Sequence, residues 1–248
     1  MIELFDLHKS FGKQKVLDGL NLTIRGGMTT MIIGRSGGGK SVLLKHMIGL
    51  LRPDSGSVVV CGKDITRMND RDLNEERKKF GMLFQEAALF DSMNVLENVA
   101  FPLREHTKKK DSEIRRIVRD RLYDVGLSGV EEKMPSELSG GMKKRVGLAR
   151  ALVMQPEIVL FDEPTTGLDP VMSEAIDRLI SDTQRNFNLT CVVISHDLKS
   201  IFTVAHRIAM LYEGKIIAEG TPDELKQSDN DVVKQFLKGS LEGPISVM

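Results

Sequence analysis

The first 33 residues alternate between apolar and polar side chains, in the runs IELFDLH, LNLTI and TTMIIG. Alternation with a period of two predicts β-strands, and the RGG at 25–27 predicts a tight turn. The run SVLLKHMIGLL, which begins at Ser41, has helical spacing, and we expect that helix to stop at Arg52-Pro53. The amino-terminal part is therefore predicted to consist of strands followed by one helix.

The pattern changes twice further along the chain. GSVVVCG and FGMLFQ predict two strands with a charged helix, DRDLNEERKK, between them, whereas residues 94–154 are predicted to be wholly helical. Strands and helices alternate again after Pro156, through EIVLFDE, a helix from Pro170, TCVVISH and a hairpin that turns at Glu213-Gly214. From Thr221 we expect two short helices and a loose end, GSLEGPISVM. This order predicts an α/β fold with a mostly parallel sheet and an inserted helical block.

Composition narrows the class of protein without identifying it. The 248 residues balance 35 basic against 35 acidic side chains, so no overall charge points to nucleic acid or to an anionic membrane. Cys61 and Cys191 lie in apolar runs and are predicted to be buried thiols in a reducing compartment. We expect no secretion leader, and no apolar run approaches the roughly 18 residues of a membrane span. Any work at a membrane is therefore expected to pass through a partner.

A glycine-rich loop, GRSGGGKS, carries the strongest chemical signal. Gly34, Gly39, Lys40 and Ser41 match the Walker A spacing, after a predicted strand and before a predicted helix. Glycines let backbone N–H groups curl around phosphate oxygens, while the helix start favours negative charge. We expect Lys40 to reach the β- and γ-phosphates and Ser41 to bind Mg²⁺. The alternative, a chance glycine-rich turn, is disfavoured by the flanking elements.

Two acidic residues end the apolar run EIVLFDEP. We expect Asp162 to bind Mg²⁺ through water and Glu163 to polarise an attacking water as a general base. In an extended chain neighbouring side chains point to opposite faces, which predicts different tasks for the two carboxylates. Two solvated acids at an exposed strand end are the alternative.

Three further polar or aromatic residues are candidates because of their positions. Gln85 and His196 are predicted to end strands, and the carboxyl ends of parallel strands meet at the edge where α/β proteins bind ligands. Gln85 could bind metal or water and sense the γ-phosphate, with a plain polar strand end as its alternative. A structural role is the alternative for His196. Phe11 could stack on adenine, with core packing as its alternative role.

The motifs GRSGGGKS, FQ, LSGGM, LFDEP, GLD and SH follow one another in an order that resembles the nucleotide-binding subunit of ABC transporters. The resemblance covers essentially the whole chain, and LSGG between a Q-loop and a Walker B strand is highly specific. It implies a P-loop NTPase (RecA-like) core with a mostly parallel sheet, an N-terminal antiparallel β part and an inserted α-helical subdomain. The implied division is 1–90 with 155–220 as core, 91–154 as helical subdomain with the signature, and 221–248 as C-terminal helix and tail.

The resemblance also implies the cofactors ATP and Mg²⁺ and an ATPase activity. The implied catalytic residues are Glu163, His196, Lys40 and Gln85, and the implied magnesium ligands are Ser41, Gln85 and Asp162. The implied ATP-binding residues are Phe11, Gly34, Arg35, Ser36, Gly37, Gly38, Gly39, Lys40, Ser41, Val42, Ser139, Gly140, Gly141 and Asp169.

In this family two subunits sit head to tail, and each ATP lies between the Walker A loop of one and the LSGG helix start of the other. The resemblance therefore implies a homodimer in which Asp169 contacts the partner. It also implies an integral-membrane permease that touches Gln85 and the segment EAALFDSMNV. Met142 stands where many members have glutamine, which puts a polar contact to the partner's nucleotide in doubt. Val42 stands where threonine is frequent, and little effect is expected.

A finer resemblance, to the ATPase of Mla and Mce-type systems, rests on the runs DVVKQFLKGSLEGPI, GKSVLLKHMIGLL and LSGGMKKRVGLARAL. These systems move lipids between envelope membranes. The resemblance implies a subunit on the cytoplasmic face of the inner membrane, with an Mce-domain protein and in some systems a STAS-domain protein as partners, and without nucleic acid. An ABC ATPase for another solute, a soluble ABC protein of ribosomes or DNA repair, and a non-catalytic scaffold are the alternatives. Cargo and direction of transport are not encoded in these motifs.

Overall fold

The computed structural model describes residues 1–245, so the last three residues of the expected loose end lie outside the described residues. Within residues 1–245 the chain forms ten strands and nine α-helices. The strands are β1 (Ile2–Phe11), β2 (Gln14–Ile24), β3 (Thr29–Ile33), β4 (Ser55–Val60), β5 (Lys63–Asp64), β6 (Phe80–Leu83), β7 (Ile158–Asp162), β8 (Thr190–Ile194), β9 (Arg207–Tyr212) and β10 (Lys215–Gly220). The helices are α1 (Lys40–Met47), α2 (Asp70–Arg77), α3 (Val95–His106), α4 (Asp111–Asp124), α5 (Gly140–Leu152), α6 (Pro170–Phe187), α7 (Leu198–Val204), α8 (Pro222–Lys226) and α9 (Asp231–Lys238).

Two compact units make up the chain: Met1–Leu73 with the segment from Val192 onward, and Asn74–Cys191. The three-part division expected from the resemblance stays a prediction. Within the described residues no helix is both long and apolar enough to cross a membrane.

The first unit contains an antiparallel sheet with the strand order β2-β1-β4-β5. Ile2 at the start of β1 pairs with Ile24 of β2 on one side and with Val60 of β4 on the other. These three side chains are fully buried, because alternation along each strand turns one face of the sheet inward. The predicted N-terminal antiparallel part is therefore confirmed.

A second sheet places β10, β9, β3 and β8 side by side, in that order, and the first unit contains these strands except for Thr190 and Cys191 of β8. β3 and β9 are parallel, with Thr30 opposite Arg207 and Ile33 opposite Met210. All five residues of β3 are buried, as expected for a parallel strand covered on both faces. The predicted hairpin is confirmed, since Glu213 and Gly214 both have positive φ between β9 and β10, as a two-residue hairpin loop requires.

The second unit combines two parallel strands with the helices α3 to α6. β6 and β7 pair in parallel, with Phe80 opposite Ile158 and Leu83 opposite Phe161. The expectation that residues 94–154 are wholly helical was wrong, because residues 107–110 and 125–134 lie outside helices. The α4 helix ends before Gly126, whose φ of 73° is left-handed.

Two other local expectations were also wrong, and glycine explains both. Helix α1 ends at Met47 and does not reach Arg52, because Gly49 has a φ of 70° and its N–H bonds back to the His46 carbonyl, which terminates the helix. Cys61 is exposed, because Cys61 and Gly62 form the two-residue loop between β4 and β5, with φ of 49° and 79°. Cys191 is buried as predicted.

Candidate nucleotide-binding and hydrolysis site

The glycine-rich loop begins directly after β3. Gly37 and Gly39 have φ of 72° and 97°, which side-chain-bearing residues rarely adopt. The N–H of Gly38 donates to the Arg35 carbonyl at 3.1 Å, and a Cβ on Gly38 would lie 2.9 Å from that oxygen. The loop is therefore a tight backbone curl whose shape depends on glycine.

Lys40 is the first residue of α1 and is almost completely buried. Its Nζ donates to the carbonyls of Gly34 at 2.8 Å and Arg35 at 2.9 Å, so the ammonium group is held inside the loop. Among the described residues no side chain caps the start of α1 at Gly39, and Ser41 in its first turn is exposed. Backbone donors, a helix N-terminus and a cation thus meet in one loop, which fits a polyphosphate.

Asp162 and Glu163 lie at the end of β7, but only Asp162 belongs to the extended strand. Asp162 is the last residue of the strand, whereas Glu163 lies beyond it with a φ of 49°. The argument that extended neighbours face opposite ways therefore does not apply to Glu163. The Thr166 hydroxyl donates to Glu163 Oε2 at 2.9 Å and orients the carboxylate. A non-glycine residue in the left-handed region next to a strand end is typical of functional sites.

Gln85 and His196 do not end strands as predicted, because β6 stops at Leu83 and β8 stops at Ile194. Both residues are exposed in the loops that follow. Asp197, next to His196, caps α7 by accepting from Lys199 and Ser200. Loop positions leave both side chains accessible, which suits residues that contact a ligand.

Phe11 is 49% exposed at the end of β1, which excludes the core-packing alternative. Its ring lies 5.6 Å from Lys9 Nζ.

The LSGG segment forms the start of α5. Ser139 is the N-cap, and its Oγ accepts from the Met142 N–H at 3.3 Å. Ser139 and Gly140 are exposed, whereas Gly141 is buried. Asp169 similarly caps α6, with Oδ1 accepting from Val171 and Met172. The segment therefore presents an exposed helix N-terminus, and Asp169 has a capping role that the sequence analysis missed.

The sequence analysis also missed two cations on α5, the buried Lys144 and the half-buried Arg150. Lys144 donates from Nζ to the Gln85 carbonyl, and Arg150 donates to the carbonyls of Ala87 and Ala88 at 2.7 and 2.8 Å. Burial lowers the pKa of Lys144, while Glu86 and Glu163 raise it, and burial lowers the pKa of Arg150. Their sequence signal is only that each lies three residues from Gly147 on the same helix.

A groove of 780 Å³ lies beside these contacts in the second unit. Phe90 and Phe101 line it with ring centroids 4.9 Å apart, and Arg150 contributes to its wall. Phe84 and Phe90 are exposed, so the groove offers aromatic surface to a partner.

Within residues 1–245 no three His, Cys, Asp or Glu side chains converge as a metal site. The carboxylate of Asp162 at the end of β7 is an oxygen donor of the kind that Mg²⁺ prefers.

The phosphate loop, the acidic strand end and the exposed signature helix define a P-loop ATPase with an LSGG signature. The family model described as "ABC transporter" matches residues 17–166, and the chain belongs to this family as an ABC transporter ATPase.

Relatives cover nearly all of the chain. It is 48% identical over 246 residues to the probable ribonucleotide transport ATP-binding protein mkl of Mycobacterium tuberculosis, covering 99% of this chain and 68% of that protein. It is 44% identical over 245 residues to the intermembrane phospholipid transport system ATP-binding protein MlaF of Haemophilus influenzae, covering 99% and 93%. A solved dimer of the ATP-binding cassette MJ0796, bound to ADP and Pi, has a TM-score of 0.82 and 31% identity, covering 89% of this chain and 98% of that one.

Proposed function

We propose that this ATPase binds Mg²⁺ and ATP in the glycine-rich loop and uses Glu163 to activate water. Residues 34–42 hold the phosphates, with the Lys40 ammonium on the β- and γ-phosphates, and Phe11 stacks on adenine. Ser41, Gln85 and Asp162 hold Mg²⁺, which neutralises charge on the phosphates. Glu163 accepts the proton of the attacking water, and His196 and Gln85 contact the γ-phosphate.

We infer that two copies share each nucleotide. The support is the exposed N-terminus of α5, whose donors at Ser139, Gly140 and Gly141 suit the γ-phosphate of a second copy. Asp169 contacts the same partner. The similarity to a cassette that was solved as a dimer with ADP and Pi agrees with this arrangement.

We further propose that the transporter moves phospholipid, with this subunit on the cytoplasmic face of the inner membrane. The observation that carries this proposal is the 44% identity to MlaF along 93% of its length. An integral-membrane permease docks in the aromatic groove beside Gln85, and an Mce-domain protein and a STAS-domain protein complete the complex. The name of mkl favours a second candidate cargo, a ribonucleotide.

Replacing Glu163 by Gln tests the hydrolytic role. The amide keeps the shape of the side chain and its bond from Thr166 but cannot accept a proton, so we expect ATP binding to persist while turnover falls by at least about 100-fold. Phosphate release and binding of fluorescent ATP are measured in parallel, with the exposed Glu105→Gln as the control. Near wild-type turnover in Glu163→Gln would remove this residue from the role of base.

Cargo is tested on the complex that co-purifies with this chain from membranes. We expect phospholipid in the complex and ATP-dependent movement of a fluorescent phospholipid between vesicles after reconstitution. ATP-dependent uptake of ribonucleotide without phospholipid movement would favour the second candidate.

A further inference from the structure

A stripe on the signature helix α5 holds the loop that carries Gln85. Lys144, Gly147 and Arg150 are spaced three residues apart, so they lie along one face of the helix. All three contact or closely approach the segment of residues 84–90, which we name the Gln85 segment.

Each member of the stripe contributes a different contact. Lys144 binds the carbonyl of Gln85 itself. Arg150 binds the carbonyls of Ala87 and Ala88, and its guanidinium lies 6.0 Å from the ring of Phe90. Gly147 permits the close approach, since a Cβ there would lie 2.8 Å from Leu83 and 3.2 Å from the Ala87 side chain.

The backbone of the Gln85 segment needs these contacts. Ala87 and Ala88 have φ of 58° and 47°, a left-handed conformation that alanine seldom adopts. Such residues persist when surrounding bonds fix them, and Arg150 supplies two of those bonds. The segment is thus held by α5 in a shape that its own sequence does not favour.

The stripe connects three places that the proposed function uses. Its first residue lies one turn from Ser139 and Gly140, its partner segment carries Gln85, and Arg150 lines the aromatic groove. Lys144 is also attracted electrostatically to Glu163. A displacement of α5 would therefore be transmitted to Gln85 and to the groove wall.

We propose that Lys144 and Arg150 are positioning residues that fasten the Gln85 segment to the signature helix. Helix and segment then move as one body, and occupation of the helix start by a second copy's nucleotide sets both Gln85 and the groove. This inference rests on the proposed function for its catalytic consequence, whereas the fastening itself is a property of the chain alone.

Hydrogen exchange on the full chain tests the fastening without nucleotide. In Lys144→Met and Arg150→Gln we expect faster exchange at residues 84–90 and unchanged exchange in α5 beyond its first turn. Lys143→Met is the matched control, since Lys143 is the half-exposed neighbour on the same helix. Unaltered exchange at residues 84–90 in both variants would overturn the proposal.

Kinetics test the consequence for catalysis. Misplacing Gln85 leaves the glycine-rich loop untouched, so in Lys144→Met we expect kcat to fall about 10-fold or more with little change in KM for ATP. Lys144→Arg, which keeps a donor, should recover most of kcat. Faster exchange without loss of kcat, or equal losses in Lys143→Met, would contradict the positioning role. If wild-type turnover proved independent of Glu163, the proposed function would fail, and the exchange result would still decide the fastening.

Discussion

Asn98 is fully buried on α3 and ties the groove-lining loop to that helix. Its Oδ1 accepts from the Phe90 N–H at 2.8 Å, while its amide donates towards the carbonyls of Phe90 at 3.1 Å and Met93 at 2.9 Å. The Asn94 carbonyl also lies 3.1 Å from this amide nitrogen, but an NH₂ group has two hydrogens and so donates two full bonds. One accepted and two donated bonds, at about 1 kcal/mol each, predict that Asn98→Ala lowers the free energy of unfolding by about 3 kcal/mol.

Asn94→Ala is the matched control, because it removes the N-cap side chain of the same helix. Asn94 Oδ1 accepts from the Glu97 N–H, and losing such a cap costs about 1 kcal/mol. Urea unfolding followed by far-ultraviolet circular dichroism compares the two variants on the same chain. The reasoning is refuted if Asn98→Ala proves no more destabilising than Asn94→Ala.

Three further predictions concern other parts of the chain. Burial lowers the pKa of the His46 ring, so the folded chain binds a proton less readily than the unfolded chain, and the free energy of unfolding should fall as the pH drops below 6.5. His46→Gln removes this titration and should flatten the pH dependence of unfolding. An unchanged slope would contradict this. Phe11→Ala should raise KM for ATP about 10-fold and Phe11→Tyr should not, since base stacking contributes about 1–3 kcal/mol; equal KM values would exclude stacking. Gln235 bonds to the Ser240 carbonyl and to both backbone polar groups of Ile245, so Gln235→Ala should speed hydrogen exchange in residues 240–245, and unchanged exchange would show that other contacts hold this segment.

The sequence predicted best those elements whose formation depends on residues close together in the chain. Period-two alternation was the signal for β1, β2 and β3, although all five residues of β3 are buried, and Glu213-Gly214 identified the hairpin turn. Cys61-Gly62 forms the same kind of two-residue loop, but the apolar VVVC before it suggested a longer strand. Gly49 ended α1 early because a left-handed residue with a backward hydrogen bond outweighs apolar spacing.

In the candidate site, too, the sequence predicted which residues take part but not the contacts between distant parts of the chain. The motifs identified the residues, but the left-handed backbone of Glu163 and the bond from Thr166 arise from the turn after β7. The contacts of Lys144 and Arg150 join residues about 60 positions apart, and a helical spacing alone cannot indicate which loop a helix will hold.

The central claim is that each ATP is hydrolysed between two copies, and mixing two inactive variants tests it most directly. Lys40→Ala disables the phosphate loop, and Ser139→Arg blocks the signature helix start. A mixed dimer retains one site with an intact loop from one copy and an intact helix start from the other. Equal mixing should therefore restore about a quarter of wild-type phosphate release if the sites act independently. A mixture that forms dimers and remains as inactive as either variant alone would contradict the claim.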